Sequence, residues 1–299
     1  MDGVLIIDKP EGPTSHDVVS RVRRTTRIAR VGHTGTLDPF ASGVLPLVLG
    51  RATRLVQFLI GAEKEYEAEI RLGLETDTYD ITGQPVDRES TRRSPIEIDR
   101  QEVERVLGDF HGPLLQQPPP YSAKKIGGTR AYVLARRGAA VQPAPSPVAV
   151  RELDLVDLQA DRLRLRLVCS SGFYVRSLAH EIGRRLETGA CLQALRRVRS
   201  GEFHIDAATS LERVERDPAA VTGLVLSMPA LLPGLPAAIL TDHGVRRAVR
   251  GNTVGPPEML QGAPPDAVRV RLLSESGELV AIASACGPPG VLHPDVVVG

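Results

Sequence analysis

The chain has no tryptophan, and only five tyrosines and five phenylalanines among 299 residues. An extended aromatic platform for stacking bases is thereby excluded; stacking must fall to a few named rings. The three cysteines, Cys169, Cys191 and Cys286, are widely spaced. They make no CxxC pair and no disulfide framework, which fits a reducing compartment. No stretch approaches the roughly 18 uninterrupted apolar residues of a membrane helix. The opening MDGVLIIDKP carries an acid at residue 2 and no basic leader, unlike a secretory signal. A cytoplasmic location is expected. Several motifs are missing too. There is no Walker loop, no GxGxxG and no GxSxG, and HEIGR (180–184) is not an HExxH site. Nucleotide hydrolysis, dinucleotide redox chemistry, serine hydrolysis and a metal centre all lose support. Hydrophobic residues at 42% and charged residues at 24% remain in the balance of a soluble globular protein. The length suits one large domain or two of ordinary size.

The net charge of +1 conceals clustering. Arg21, Arg23, Arg24, Arg27 and Arg30 form one basic group. Lys124, Lys125, Arg130, Arg136 and Arg137 form a second, Arg196, Arg197 and Arg199 a third, and Arg246, Arg247 and Arg250 a fourth. The acids gather elsewhere, as in ETDTYD (75–80) and LERVERD (211–217). Any one Arg-rich stretch is ordinarily a solvated helix face; four together suit a polyanionic partner.

Periodicity predicts an α+β fold with a mixed, mostly antiparallel sheet. VLIIDKP (4–10) is a strand stopped by Pro10. TSHDVVSRVRRTTR (14–27) is a helix capped at Thr14 or Ser15, with Val18, Val19 and Val22 as its apolar stripe. ATRLVQFLI (52–60) has helical spacing, and KEYEAEIRLG (64–73) alternates as a strand. A helix follows over 98–110 with Asp99 as cap. Residues 112–132 read as a long loop, Pro-rich and then basic, and 131–138 as a short helix. Two alternating strands over 148–172, a helix over 173–189 and a strand segment over 190–205 complete a unit spanning 1–232. PGLPA (233–237) reads as a linker. Beyond it lies a β-rich domain of about 60 residues, an ordinary domain size, with a hairpin around SESG and a loop at 255–266.

The chemistry concentrates in GHTGTLDPFASGVLPLVLG (32–50). Asp38 sits on a stiff turn, between Gly35 and Pro39, in front of an apolar run. It either closes an Asx-type turn or is a positioned nucleophile or base. Arg176, at the start of the 173–189 helix, is either an exposed helix arginine or a bidentate partner for a carboxylate across a pocket. Spacing alone leaves both pairs of alternatives open.

GHTGTLDPFASGVLPLVLGRATR resembles the signature of the TruB-type tRNA pseudouridine synthases. IDKPEGPTS (7–15), KEYEAEIRLG with TDT (64–78), PPPYSAKKIGGTRAY (118–132), and CSSGFYVRSLAHEIG (169–183) followed by LRRVRSGEF (195–203) are similar to the same family, in the same order. The resemblance covers roughly residues 1–215; residues 237–299 resemble the family's PUA-type RNA-binding domain more weakly. It implies isomerisation of a uridine to pseudouridine at position 55 in the T loop of tRNA, with base flipping, no cofactor and no metal. It implies Asp38 as the catalytic aspartate and Arg176 as its ion-pair partner. Tyr66 is implied as the ring stacking on the target base, Leu195 as a pocket wall, and His33 as the filler of the space the base leaves. Lys9 and Tyr174 are expected near the pocket. A loop over about 118–147, with Lys124, Lys125 and Arg130, is expected to clamp the T-arm stem-loop. A monomer is the default expectation, with no obligatory protein partner; the lack of long basic tails argues against a guide-RNA-dependent subunit. The competing expectation is an idle RNA-folding module on the same scaffold; the intact set Asp38, Tyr66 and Arg176 argues against it.

Overall fold

The computed structural model describes residues 1–86, 98–139 and 141–299. Strand β1 (Gly3–Lys9) ends at Pro10, which has no N–H for a ladder. Helix α1 (Ser15–Thr26) starts with a capping box: Thr14 accepts from the Asp17 N–H, and the Asp17 carboxylate accepts from the Thr14 N–H. Val18, Val19 and Val22 are buried. The short β2 (Val31–His33) pairs with β3 (Ser42–Leu49).

Strand β3 explains the apolar run. It is buried on both faces, between β1 and, running parallel to it, β10 (Ala190–Ser200). Leu45, Leu47 and Leu49 enter the main core. Val44 and Val48 join Val4 and Ile6 in a second core on the opposite face. A two-sided strand needs a continuous hydrophobic sequence rather than an alternating one.

The remaining elements follow in chain order: α2 (Val56–Leu59), β4 (Lys64–Leu72), α3 (Arg100–Gly108), β5 (Gly112–Gln116), β6 (Lys125–Ile126), β7 (Thr129–Arg130) and α4 (Ala131–Arg136). Then come β8 (Ser146–Gln159), β9 (Arg162–Cys169), α5 (Val175–Arg185), β10, β11 (Phe203–His204), β12 (Thr209–Ser210), α6 (Leu211–Arg216), α7 (Val221–Leu224) and β13 (Val225–Ser227). The large sheet runs β12-β1-β3-β10-β4-β9-β8-β5, with β2, β11 and β13 attached beside it. The β1–β12 and β3–β10 pairs are parallel; the others are antiparallel. Chain α+β architecture with a mostly antiparallel sheet is therefore present.

A second sheet is formed by β14 (Ala237–Leu240), β15 (Met259–Gln261), β16 (Arg269–Ser274), β17 (Leu279–Ala285) and β18 (Leu292–Val297), with α8 (Asp242–Val249) on it. Leu279, Ile282 and Val298 close the second core from outside. Arg271 donates to the carbonyls of Pro229 (3.0 Å) and Leu235 (3.0 Å), tying β16 to the segment that follows β13.

Four expectations change. The 52–60 segment is a 3₁₀ turn (Gly50–Leu55) followed by a single α turn, because Gly50, in the left-handed region at φ 57°, starts it as a tight corner. The 112–132 stretch is not one loop: β5 pairs with β8, and β6 and β7 form a hairpin over Gly127–Gly128, both at positive φ. The 255–266 loop contains the short strand β15. The basic clusters, segregated in sequence, are partly neutralised in space. Arg21 pairs with Glu215 of LERVERD at 2.5 Å, Arg196 with Asp8 at 2.8 Å, and Arg199 with Glu65 at 3.1 Å. The side chain of Arg136 lies outside the described residues.

Candidate active site

The turn that carries Asp38 joins β2 to β3, and its backbone is tied down on every side. Thr34 N–H donates to Pro46. The Ser15 hydroxyl both donates to the Leu37 carbonyl (3.0 Å) and accepts from the Leu37 N–H (2.8 Å). Gly12 N–H donates to the Pro39 carbonyl at 2.8 Å. Two buried cations do the rest. Lys9 Nζ donates to the carbonyls of Pro10 (2.8 Å), Pro13 (2.9 Å) and Pro39 (3.2 Å). Arg197, 1% exposed, donates to the carbonyls of Val44 (2.7 Å), Gly35 (3.0 Å) and Thr36 (3.4 Å). Gly43 is required for this approach: at φ +104°, a Cβ there would lie 2.2 Å from the Arg197 carbonyl oxygen.

Asp38 closes the turn through its main chain rather than through an Asx-type side-chain bond. Its main-chain carbonyl accepts from Ala41 N–H at 3.1 Å and closes the turn. Its carboxylate leaves the turn and meets Arg176. Arg176 Nη2 donates to Oδ1 at 3.1 Å, and Nε approaches Oδ2 to 2.9 Å as an ion-pair contact. Arg176 is buried and Asp38 half-buried. Arg176 Nη1 donates to the Thr78 carbonyl (3.2 Å) and lies 3.6 Å from Asp80 Oδ2. Asp80 Oδ1 accepts from the hydroxyls of Thr78 (2.9 Å) and Thr82 (2.5 Å) and the Thr82 N–H (3.0 Å). The guanidinium thus sits between two carboxylates, one of them buried and fully engaged.

The start of α5 fixes Arg176. Gln116, at the end of β5, accepts from Tyr174 N–H (2.8 Å) and donates to the Tyr174 carbonyl (3.0 Å). The Ser177 hydroxyl donates to the Gln117 carbonyl at 2.7 Å.

Tyr66 and Leu195 stand on one face of neighbouring strands. In the β4–β10 ladder Tyr66 is opposite Arg197 and Leu195 opposite Ala68, and both belong to the main core. Burial pushes the Tyr66 phenol up, and the Asp38 charge adds to this, while Arg197 opposes it. Burial also raises Tyr174, with Arg176 opposing. Lys9 is pulled down to about 8 by burial, against the attraction of Asp38. The Asp38 charge is felt at Lys9, Tyr66 and Tyr174 alike. His33, half-buried one turn away, is lowered by burial and by Arg197. Its Nδ1 accepts from Gly35 N–H at 3.3 Å.

Lys125 and Arg130 are exposed on the β6–β7 hairpin and Lys124 is half-buried beside it. They do not join the Asp38 cluster. Among the described residues none of the three forms an ion pair. Among the described residues no group of three His, Cys, Asp or Glu is arranged to hold a metal.

Sequence reasoning missed three residues. Asp80 lay in an acidic, turn-rich stretch and gave no sign of its partner. Arg197 was counted with a basic cluster; the only hint of burial was its place in an alternating strand, opposite Tyr66. Gln116 carried no signal.

The TruB family pseudouridylate synthase N-terminal domain matches residues 23–175. The tRNA pseudouridylate synthase B C-terminal domain matches residues 176–232. The tRNA pseudouridine synthase B of Solibacter usitatus (strain Ellin6076) is 43% identical over 299 residues, covering 99% of this chain and 100% of that protein. That of Geobacter sulfurreducens is 42% identical over 295 residues, covering 95% and 94%. Among solved structures, a chain of a Cbf5–Nop10–Gar1 complex is 26% identical with a TM-score of 0.76, over 99% of this chain and 85% of that one. A chain of an H/ACA RNP bound to a substrate RNA containing 2′-deoxyuridine is similar in fold, at 24% identity and TM-score 0.75 over 99% and 85%. With this sheet, the Asp38–Arg176 pair and these matches together, the chain belongs to the TruB family of pseudouridylate synthases.

Proposed function

We propose that this chain isomerises uridine to pseudouridine in tRNA, at position 55 of the T loop, on a base turned out of its stack. The support for the tRNA substrate is the family and the names of relatives more than 40% identical over nearly the whole chain. The single observation that carries the chemistry is the Asp38–Arg176 pair, made by residues 138 apart in sequence.

The reaction breaks the N1–C1′ bond and forms a C5–C1′ bond. The C5 proton leaves and N1 gains one. It needs a charged group beside ribose and uracil, and a pocket that holds the detached ring. Asp38 supplies the charge. An unpaired carboxylate in a dry pocket drifts towards protonation; the Arg176 fork keeps it ionised and turned. Asp38 then bonds to the substrate or takes its proton. Tyr66 offers a π face to uracil and, with its phenol held up by burial, a proton donor through the neutral range. Leu195 keeps water from the cleaved base. His33, lowered and neutral, is suited to fill an opened base stack without a charge cost. Lys9 holds the Pro39 carbonyl and so the Asp38 turn. Tyr174 lines the pocket at the foot of α5.

The base must be extruded before any of this. The β6–β7 hairpin, with Lys124, Lys125 and Arg130, contacts phosphate and positions the stem. Residues 1–232 form the catalytic unit, and 237–299 a PUA-like RNA-binding unit. The acting form in this reading is a cytoplasmic monomer. Incubation with a T-arm minihelix and no added cofactor tests the proposal. Pseudouridine at the T-loop uridine is expected. Unmodified RNA, or product only at another uridine, contradicts it.

A further inference from the structure

Behind Arg176, the rings of Tyr79 and His180 stack with centroids 3.9 Å apart and planes 5° from parallel. His180 Nδ1 lies 3.4 Å from Glu75 Oε1, and Glu75 is buried. His180 stands on α5 four residues after Arg176, one helical turn along the same face.

The backbone of Tyr79 is the telling part. Its neighbours on both sides serve Arg176: Thr78 through its carbonyl, Asp80 through its carboxylate. Tyr79 itself has φ 65°, the left-handed region that a bulky residue seldom adopts. Such a conformation persists only where its surroundings hold it. Here the Tyr79 carbonyl accepts from Leu192 N–H (3.0 Å) and its N–H donates to Thr76 (3.2 Å), while the ring is pinned on His180. Helix α5 therefore holds both the guanidinium and the clamp on the tripeptide that faces it.

We propose that Tyr79, His180 and Glu75 form a positioning clamp that sets the Thr78 carbonyl and the Asp80 carboxylate against Arg176, and through them the guanidinium against Asp38. The proposal rests on the assignment of Asp38 and Arg176 to the reaction. The three are positioning residues, acting through Arg176. Their signature is a slowed chemical step with unchanged RNA binding.

The test is single-turnover pseudouridine formation on a T-arm minihelix, with the dissociation constant measured alongside. Tyr79→Phe keeps the stack and stays within about twofold of the wild-type rate. Tyr79→Gly accepts the backbone conformation without the ring, so it separates the clamp from strain. Tyr79→Gly and His180→Ala each slow the step by about ten- to a hundredfold, the scale of a small misplacement at a reacting centre. Neither changes the dissociation constant. In an Asp80→Asn background, Tyr79→Gly costs a smaller factor than in the wild type, because one of the two contacts the clamp sets is already lost. Should Tyr79→Gly fail to fold, His180→Ala with and without Asp80→Asn gives the same comparison. Full rate in Tyr79→Gly or His180→Ala, or an equal loss in both backgrounds, overturns the clamp alone. No product from the wild type overturns the assignment of Asp38 and the clamp with it.

Discussion

Two buried lysines frame the site, and each is held by carbonyl oxygens rather than by a carboxylate. Lys64 Nζ donates to the Ile60 (2.8 Å) and Ala62 carbonyls, and burial, reinforced by Arg197, pulls it down to about 8 from 10.5. Between these two values the unfolded chain holds the Lys64 proton and the folded chain does not. Stability from this group therefore rises with pH across that window, and below about 8 the buried charge is a cost. Urea unfolding of wild type and Lys64→Met at pH 7 and pH 10 reads this out. The difference is expected to move in favour of wild type at the higher pH; a flat or opposite change contradicts the assignment. Arg197 makes the same point in guanidinium form: it caps three carbonyls and faces Tyr66, where sequence grouped it with surface charge. Residue type gave the charge, and only strand register gave the burial.

At the scale of elements, periodicity succeeded wherever an element buries one face. Of the two expected caps, Thr14 opens α1, Asp99 caps α3, and Lys64–Leu72 alternates as a strand should. It failed where long-range pairing decides. Nothing local marks β5 as the sheet edge against β8, and Gly127–Gly128, inside a stretch that reads as one long loop, turns out to be the turn of a hairpin. The candidate site was legible in part. Asp38 and Arg176 were nameable because they lie in long, specific motifs; Asp80 and Gln116 act through contacts that depend on chain topology. The hairpin carries its own prediction. Neutralising Lys124, Lys125 and Arg130 together is expected to weaken tRNA binding and to lower the magnitude of the log–log salt slope by about two to three, the value for three phosphate contacts. Filter binding from low to moderate salt measures it, and an unchanged slope rules the hairpin out as a phosphate contact.

At the scale of the molecule, the two sheets share a core. Val4, Ile6, Val44 and Val48 from the large sheet share a cluster with Leu279 and Ile282 from the small one and with Val298 just beyond it. Strand β3 thus has Asp38 at its head and the C-terminal sheet at its back. A shared apolar core couples unfolding. Calorimetry is expected to show one transition with matching calorimetric and van't Hoff enthalpies, whereas two resolved transitions contradict the coupling. The whole arrangement converges on one carboxylate. Replacing it by its neutral isostere, Asp38→Asn, keeps the turn, the sheet and the RNA surface. The decisive measurement is pseudouridine mapping in tRNA incubated with this variant, beside its tRNA affinity. Unchanged binding and no detectable product are expected, and robust product from Asp38→Asn contradicts a catalytic role for this carboxylate.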